Sequence, residues 1–354
     1  MAENVIMENL TKVLFSDNVQ DVDESPVQVD YLGGMIKGAV ILAVCIMFAQ
    51  LFSECLNMLV KFFYYILLGC IKALLPCGVL PRKSVKDQIV LITGTGMGLG
   101  RLLAVQFGKL GARLVLWDIN EEQNLETKKM LDDIGVEAHA YTIDLSSKDQ
   151  IYATAEKVRQ EVGDVDILFN NAGIVTGKKL FDCPDALMEK TMSINANSLF
   201  YTAKCFVPKM IEKNSGHVIT VASMAGHVGV NGLVDYCASK HAAVGFNEAL
   251  RGEIRCLGKS VHVTTVCPYF INTGMFNGVK TYAPLWFPIL EPEYVIYRIM
   301  EAVLTNEENL YLPRASHLFL LIKGLLPSRA VFTIAEYFGL NRSMDEYVGR
   351  NQNK

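Results

Sequence analysis

Tyr236 and Lys240 stand four residues apart in VDYCASK (234–240). On a helix that spacing puts both side chains on one face, roughly 5–6 Å apart at Cβ. Their ordinary pKa values, about 10 and 10.4, make neither a proton acceptor at neutral pH. Alone, the pair fits a solvated helix face as well as it fits an acid/base site. A cation within about 4–6 Å can lower an acid's pKa by about 1–3 units, which would bring a phenol toward the range where proton transfer is efficient. Ser223 closes the apolar run HVITVAS (217–223), thirteen residues before Tyr236, so its hydroxyl can share that end of the fold.

A second group of residues suits a dinucleotide. TGTGMGLG (93–100) does not fit GxGxxG, because Leu99 and Arg101 stand where glycine would be needed. It fits TGxxxGxG through Gly94, Gly98 and Gly100. Without Cβ atoms the backbone can turn tightly and approach a pyrophosphate at a helix N-terminus. Asp118 follows about twenty residues on, where a carboxylate can accept bonds from both ribose hydroxyls and would repel a 2′-phosphate. Met97 and Ile119 beside it add no positive charge, which favours NAD, while Arg101 keeps NADP open. Asp144 can reach the adenine amino group, and Asn171, Ala172 and Gly173 in NNAG (170–173) offer small and amide residues for close passage of the cofactor.

These residues need elements to bring them together. KDQIVLIT (86–93), RLVLWD (113–118), AHAYTID (138–144), DILFN (166–170), HVITVAS (217–223) and VHVTTVCP (261–268) read as strands. Helical patterns separate them, among them long helices near 185–212, which carries Asn195, and 235–257. This alternation predicts an α/β fold, a single Rossmann-type doubly wound parallel sheet with helices on both faces, over residues 86–312. Its ligands should lie outside the carboxyl ends of the strands, where strand order reverses.

Composition narrows the function classes. The net charge is −4 with no basic stripe, so no nucleic-acid partner is expected. Nine cysteines without a CxxC and six dispersed histidines predict reduced thiols and no metal site. Hydrophobic residues make up 51% of the chain, and mean hydropathy is +0.25. The excess is concentrated in residues 31–81, read as a membrane anchor after an acidic, disordered or weakly helical tail at 1–30. Two apolar blocks flank Glu54 to Lys61, leaving a single span, a hairpin and interfacial helices all open. Arg82, Lys83 and Lys86 behind the apolar region place the following domain in the cytosol by the positive-inside bias.

The motifs in this order and spacing resemble the short-chain dehydrogenases/reductases from about residue 86 to 275. LVLWDIN (114–120), NNAGIVTGKK (170–179) and VNGLVDYCASK (230–240) resemble their membrane-bound retinol and hydroxysteroid dehydrogenase branch. The resemblance implies that Tyr236 is the acid/base, with Lys240 lowering its pKa and holding the nicotinamide ribose. Ser223 would position the substrate oxygen and Asn195 would anchor a water relay. In the family's PGxxxT stretch Pro268 and Thr273 are present, but Tyr269 replaces the glycine, altering the wall beside the nicotinamide. Implied with this are an endoplasmic-reticulum or lipid-droplet location and a homodimer formed through the two long helices.

The substrate expected from these features is a lipophilic alcohol reached through membrane lipid: a retinoid first, a hydroxysteroid second. Met275, Phe276 and Trp286 in MFNGVKTYAPLWFPIL (275–290) are candidates for its pocket, or they simply pack that loop onto the domain. Residues 313–354 read as an apolar extension near the membrane. A non-catalytic lipid-surface scaffold that kept the nucleotide fold is the rival; the presence of Ser223, Tyr236 and Lys240 together speaks against it.

Overall fold

A computed structural model of the chain describes residues 26–74 and 78–349. Most of the expected acidic tail, residues 1–25, lies outside the described residues, as do 75–77 in the anchor region and 350–354 at the C-terminus. The chain divides into two compact units, Met1–Pro76 and Cys77–Lys354.

Among the described residues the first unit holds one helix, α1 (Pro26–Leu74), so residues 26–30 are helical and both apolar blocks, as far as Leu74, lie in one element. Glu54 and Lys61 do not interrupt it. No glycine or proline stands between them, and charged side chains alone leave the backbone hydrogen bonds of a helix intact. Within α1, Gly33–Gly69 is long and apolar enough to cross a membrane, the one such helix among the described residues. At about 1.5 Å per residue its length exceeds the roughly 30 Å hydrocarbon core of a bilayer.

The second unit is built on a seven-stranded parallel sheet in the order β3-β2-β1-β4-β5-β6-β7. The strands are β1 (Ile89–Thr93), β2 (Arg113–Asp118), β3 (Ala138–Thr142), β4 (Ile167–Asn170), β5 (Gly216–Val221), β6 (Val261–Pro268) and β7 (Asn309–Leu312). Successive strand residues point to opposite faces, and both faces are covered. Val90, Ile92, Leu114 and Leu116 pack with Phe107 and Ile299 on one side, while Leu91, Val115 and Trp117 pack with Ile151 and Phe206 on the other. Burial on both faces explains why these strands read as unbroken apolar runs.

The first face carries α2 (Gly98–Lys109), α3 (Glu121–Asp132) and α8 (Pro292–Leu304); the second carries α4 (Lys148–Glu161), α6 (Ser198–Lys213) and α7 (Val234–Cys256). The helix expected near 185–212 is α5 (Asp185–Met192) joined to α6 by a π-turn at Ser193–Asn197. Beyond β7 come α9 (Ala315–Leu325), α10 (Ser328–Tyr337) and a 3₁₀ turn at Leu340–Arg342.

Two of the three basic residues counted as a flank of the anchor serve the folded unit instead. Arg82 pairs with Glu301 of α8. Lys83 Nζ donates to Nδ1 of the buried His217 at 2.7 Å, and burial lowers the Lys83 pKa to about 8. Their charges are engaged by protein, so Lys86 alone remains a simple flanking cation.

Candidate active site

Strand order reverses between β1 and β4, and a cavity of about 380 Å³ opens at their carboxyl ends. One end is lined by Asp118, Ile119 and Asp144; the other is lined by Ser223, Tyr236 and Met275. Gly94, Gly98, Asn171, Ala172, Gly173, Lys240, Pro268 and Thr273 line the stretch between. Crossover connections bring into one wall residues as distant in the chain as Gly94 and Met275.

At the nucleotide end the glycine turn is held by polar side chains from β1, from the segment after β4 and from α3. Thr93 Oγ1 accepts from the backbone N–H groups of both Asn171 and Ala172 at 3.0 Å. Asn171 Nδ2 donates in return to the carbonyls of Thr93 and Gly94 at 2.9 and 3.2 Å. The buried Asn124 accepts from Thr95 Oγ1 at 2.6 Å and donates to the carbonyls of Leu116 and Tyr141. Thr127 Oγ1 donates to the Thr95 carbonyl. Asn124 and Thr127 escaped sequence reading, because on a polar helix such as α3 nothing local separates an inward-facing Asn or Thr from a solvated one.

Asp118 accepts from the backbone N–H of Gly96 at 2.7 Å and of Asn120 at 2.9 Å. Both carboxylate oxygens retain further lone pairs toward the cavity. Asp144 is fixed by the N–H and hydroxyl of Ser146. Arg101, the residue that kept NADP open, is engaged elsewhere. Its guanidinium bonds Gly96 O, Gln123 O, Thr127 Oγ1 and Glu126, and it does not line the cavity.

Asn195 lies behind the cavity wall at the π-turn, fully within protein. Its Oδ1 accepts from Ile174 N–H at 2.9 Å, and its Nδ2 donates to Ile174 O at 2.9 Å and to Ser239 Oγ at 3.0 Å. A π-turn re-aims one side chain without ending the helix, a device frequent at functional sites. Asn195→Ala is expected to strand the Ile174 N–H and C=O and lower stability by about 1–3 kcal/mol. Equilibrium denaturation would read this as a lower midpoint with unchanged slope.

Tyr236 and Lys240 are both buried on α7. Lys240 Nζ lies 5.7 Å from the centroid of the Tyr236 ring and donates to the Val221 carbonyl at 2.7 Å. Burial lowers its pKa to about 8. Burial also pushes the Tyr236 phenol above its ordinary value, against the pull of a hydrogen bond with Ser223. The expected depression by Lys240 is therefore not what the protein alone sets up: the ammonium faces a backbone carbonyl, and desolvation dominates. Ser223 Oγ accepts from Ala225 N–H at 3.1 Å and lies 3.4 Å from the Pro268 carbonyl. A phenol and a hydroxyl so placed can hold an alcohol oxygen between them and exchange one proton with it.

Around this pair the wall is apolar. Phe276 meets the Tyr236 ring edge-on at 5.9 Å, and Phe270 meets Phe276 at 5.0 Å. Tyr269, the residue in place of glycine, lines the cavity and packs against Phe270 and Phe287. Met275 and Phe276 line the cavity as expected, but Trp286 does not. Trp286 is 50% exposed while its neighbour Phe287 is buried, since adjacent residues of the 283–287 turn point opposite ways. Val228, Val230, Leu233 and Leu340 also line the cavity and were not singled out from sequence.

Comparison with known proteins agrees with this geometry. The family described as short chain dehydrogenase matches residues 88–282, more than half of the chain. The chain belongs to that family. Among its relatives, this short-chain dehydrogenase is 49% identical over 294 residues to human (Homo sapiens) epidermal retinol dehydrogenase 2, covering 82% of this chain and 94% of that protein. It is 40% identical to retinol dehydrogenase 10-B of Danio rerio, covering 77% and 88%. A short-chain dehydrogenase/reductase from Burkholderia phymatum, solved in complex with NAD, superposes with a TM-score of 0.62 at 25% identity, covering 71% of this chain and 96% of that one. A metagenomic short-chain oxidoreductase in complex with NADP gives 0.55 at 27%, covering 65% and 97%.

This short-chain dehydrogenase is thus an NAD(P)-dependent alcohol dehydrogenase. Its residues suit a nicotinamide dinucleotide: the cavity runs unbroken from the Asp118 carboxylate past the glycine turn to Lys240 and Tyr236. The turn leaves no room behind it, since a Cβ on Gly94 would approach Ala172 Cα to 3.0 Å.

Proposed function

We propose that this enzyme oxidises a lipophilic primary alcohol, all-trans-retinol first, using NAD at a membrane surface. One observation carries the reading: the Tyr236 phenol and Ser223 hydroxyl open into an apolar-walled cavity whose far end presents Asp118. The names of the relatives, epidermal retinol dehydrogenase 2 and retinol dehydrogenase 10-B, support retinol as the alcohol.

A bound nicotinamide dinucleotide would supply the acceptor for the carbinol hydride and, when oxidised, a positive charge. The protein handles the proton. Ser223 Oγ orients the alcohol oxygen, and Tyr236 as phenolate takes its proton. Lys240, held by Val221 O, keeps a cation beneath the phenolate and reaches the ribose side of the site. Asn195 fixes Ile174 and Ser239 behind them. Gly94, Gly98, Asn171, Ala172, Gly173, Pro268 and Thr273 shape the cofactor cleft, Gly100 backs its turn, and Met275 and Phe276 contact the substrate. Reduction of the aldehyde runs through the same atoms in reverse.

NAD is favoured because Asp118 stands at the adenosine end and Arg101 is engaged by Gly96, Gln123, Thr127 and Glu126. A 2′-phosphate beside a carboxylate costs several kcal/mol. Asp118→Ser is expected to shift the NAD/NADP ratio of kcat/KM toward NADP by on the order of 100-fold, measured with one alcohol and both cofactors.

The apolar α1 supports residence in the endoplasmic-reticulum membrane or on lipid droplets, with residues 31–81 as anchor and the catalytic unit in the cytosol. Such a location brings the enzyme to alcohols that dissolve in lipid. We also assign a homodimer through the faces of α6 and α7. Membranes containing the protein should convert retinol to retinaldehyde with NAD; turnover of a hydroxysteroid but not of retinol would replace the first substrate with the second.

A further inference from the structure

The family match ends at residue 282, yet residues 338–349 return to the catalytic end of the cavity. Leu340 lines the cavity itself. The next residue, Asn341, accepts through its carbonyl from Asn231 Nδ2 at 3.0 Å, which places it beside Val230, another wall residue. Met344 is buried in one cluster with Tyr236, Phe270 and Val279. Tyr347 joins the same cluster, and its hydroxyl reaches the Met275 carbonyl at 3.4 Å.

The backbone of this strap is bonded to the loop that follows β6. Lys280 N–H donates to Ser343 O at 3.1 Å, and Val348 and Gly349 N–H donate to Asn277 O at 2.9 and 3.2 Å. Gly278 is its seat. With φ at +87° it adopts a conformation that disfavours other residues, and a Cβ there would lie 2.0 Å from the Glu346 carbonyl oxygen. The ring of Tyr347 packs just as closely over Gly177. Contacts this tight argue for a fixed wall, and its outward residues Asp345 and Glu346 are exposed as a solvated outer surface would be.

We infer that the strap 338–349 measures the apolar end of the substrate, with Leu340 as the residue that sets how long an alcohol the cavity accepts. Met344 and Tyr347 are positioning residues that hold Leu340 in place. The inference deepens the proposed function and rests on it. Val230, Leu233, Phe276 and Leu340 offer a substrate tail no polar group to recognise, so discrimination here is by volume. In an apolar pocket each methylene gained or lost is worth about 10-fold or more in kcat/KM.

The test uses the full chain in membranes and a series of primary alcohols from short alkanols to retinol. Leu340→Trp is expected to lower kcat/KM for the longest alcohols by about 10-fold relative to the shortest. Leu340→Ala, which only removes atoms, should raise the same ratio, and Gly278→Val should flatten the length profile by displacing the strap. Binding of a fluorescent fatty-alcohol series is measured in parallel, with cofactor binding as the check on folding. Long-to-short ratios that stay within about 2-fold of wild type for both Leu340 variants, in turnover and in binding, would overturn the inference. If the wild type oxidises none of the alcohols, the proposed function fails. The length dependence of binding, compared between wild type and the Leu340 variants, then decides the role of the strap by itself.

Discussion

Tyr236→Phe is expected to lower alcohol oxidation by at least about 10²–10⁴-fold, the usual worth of a positioned acid/base, with cofactor binding and thermal unfolding close to wild type. The change removes one oxygen from a ring whose packing against Phe276 and the surrounding cluster is unaltered. Steady-state kinetics and nicotinamide fluorescence titration would separate the two effects; unchanged turnover would remove Tyr236 from the chemistry.

The pH profile adds a sharper reading. Burial holds the phenol above its ordinary value, so the phenolate fraction is small near neutrality and grows as pH rises. Oxidation needs the phenolate, so its rate should climb with pH, whereas aldehyde reduction needs the phenol and should fall. The hydrogen bond with Ser223 pulls the phenol downward. Ser223→Ala should therefore move the rising limb of oxidation to higher pH as well as lower the rate, a displacement that a purely steric role for Ser223 would not produce.

Gly100→Ala should be the most damaging single substitution at the nucleotide end. A Cβ at position 100 would sit 2.0 Å from the Gly94 carbonyl oxygen, 2.7 Å from its carbon and 2.8 Å from Asn171 Nδ2. The first two are backbone atoms of the turn, and Asn171 is tied to Thr93 and Gly94, so none can swing aside. Relief requires the start of α2 to move away from β1, which would open the surface proposed to take the diphosphate. Overpacking of this kind costs about 1–3 kcal/mol or more. The denaturation midpoint should fall by that amount, and NAD affinity should fall further than stability does. A Gly100→Ala protein that bound NAD normally would show that the turn is looser than its contacts indicate.

Much of the molecule was legible from residues alone because its signals are local. Strands buried on both faces must be unbroken apolar runs, and the alternation of such runs with helical periods leaves little besides a doubly wound parallel sheet. The glycine turn, Asp118 and the Tyr236–Lys240 pair carry their chemistry in residue type and spacing, and Gly94, Gly98, Asp118, Tyr236 and Lys240 all line the cavity, with Gly100 buried behind it. Where reading failed, the deciding contact was distant in the chain. Trp286 and Phe287 are adjacent aromatic residues, and only the packing of Phe287 on Tyr269 and Phe319 settles which one turns inward. Arg101 looked available to a phosphate until the Gly96 and Gln123 carbonyls, Thr127 and Glu126 were seen to surround it.

The amino-acid sequence by itself determined the fold class through periodicity, and its motifs, by their order and resemblance, pointed to the family and to the groups proposed to move a proton. Only the tertiary structure decided how those groups are tuned. Lys240 is turned to the Val221 carbonyl, desolvation governs Tyr236, and a π-turn aims Asn195 at Ile174. It also brought Leu340 into the wall of the cavity that holds Tyr236, more than a hundred residues after it in the chain. Burial, hydrogen-bond direction and cavity shape are sums over neighbours from many elements, and spacing along one chain does not contain those sums.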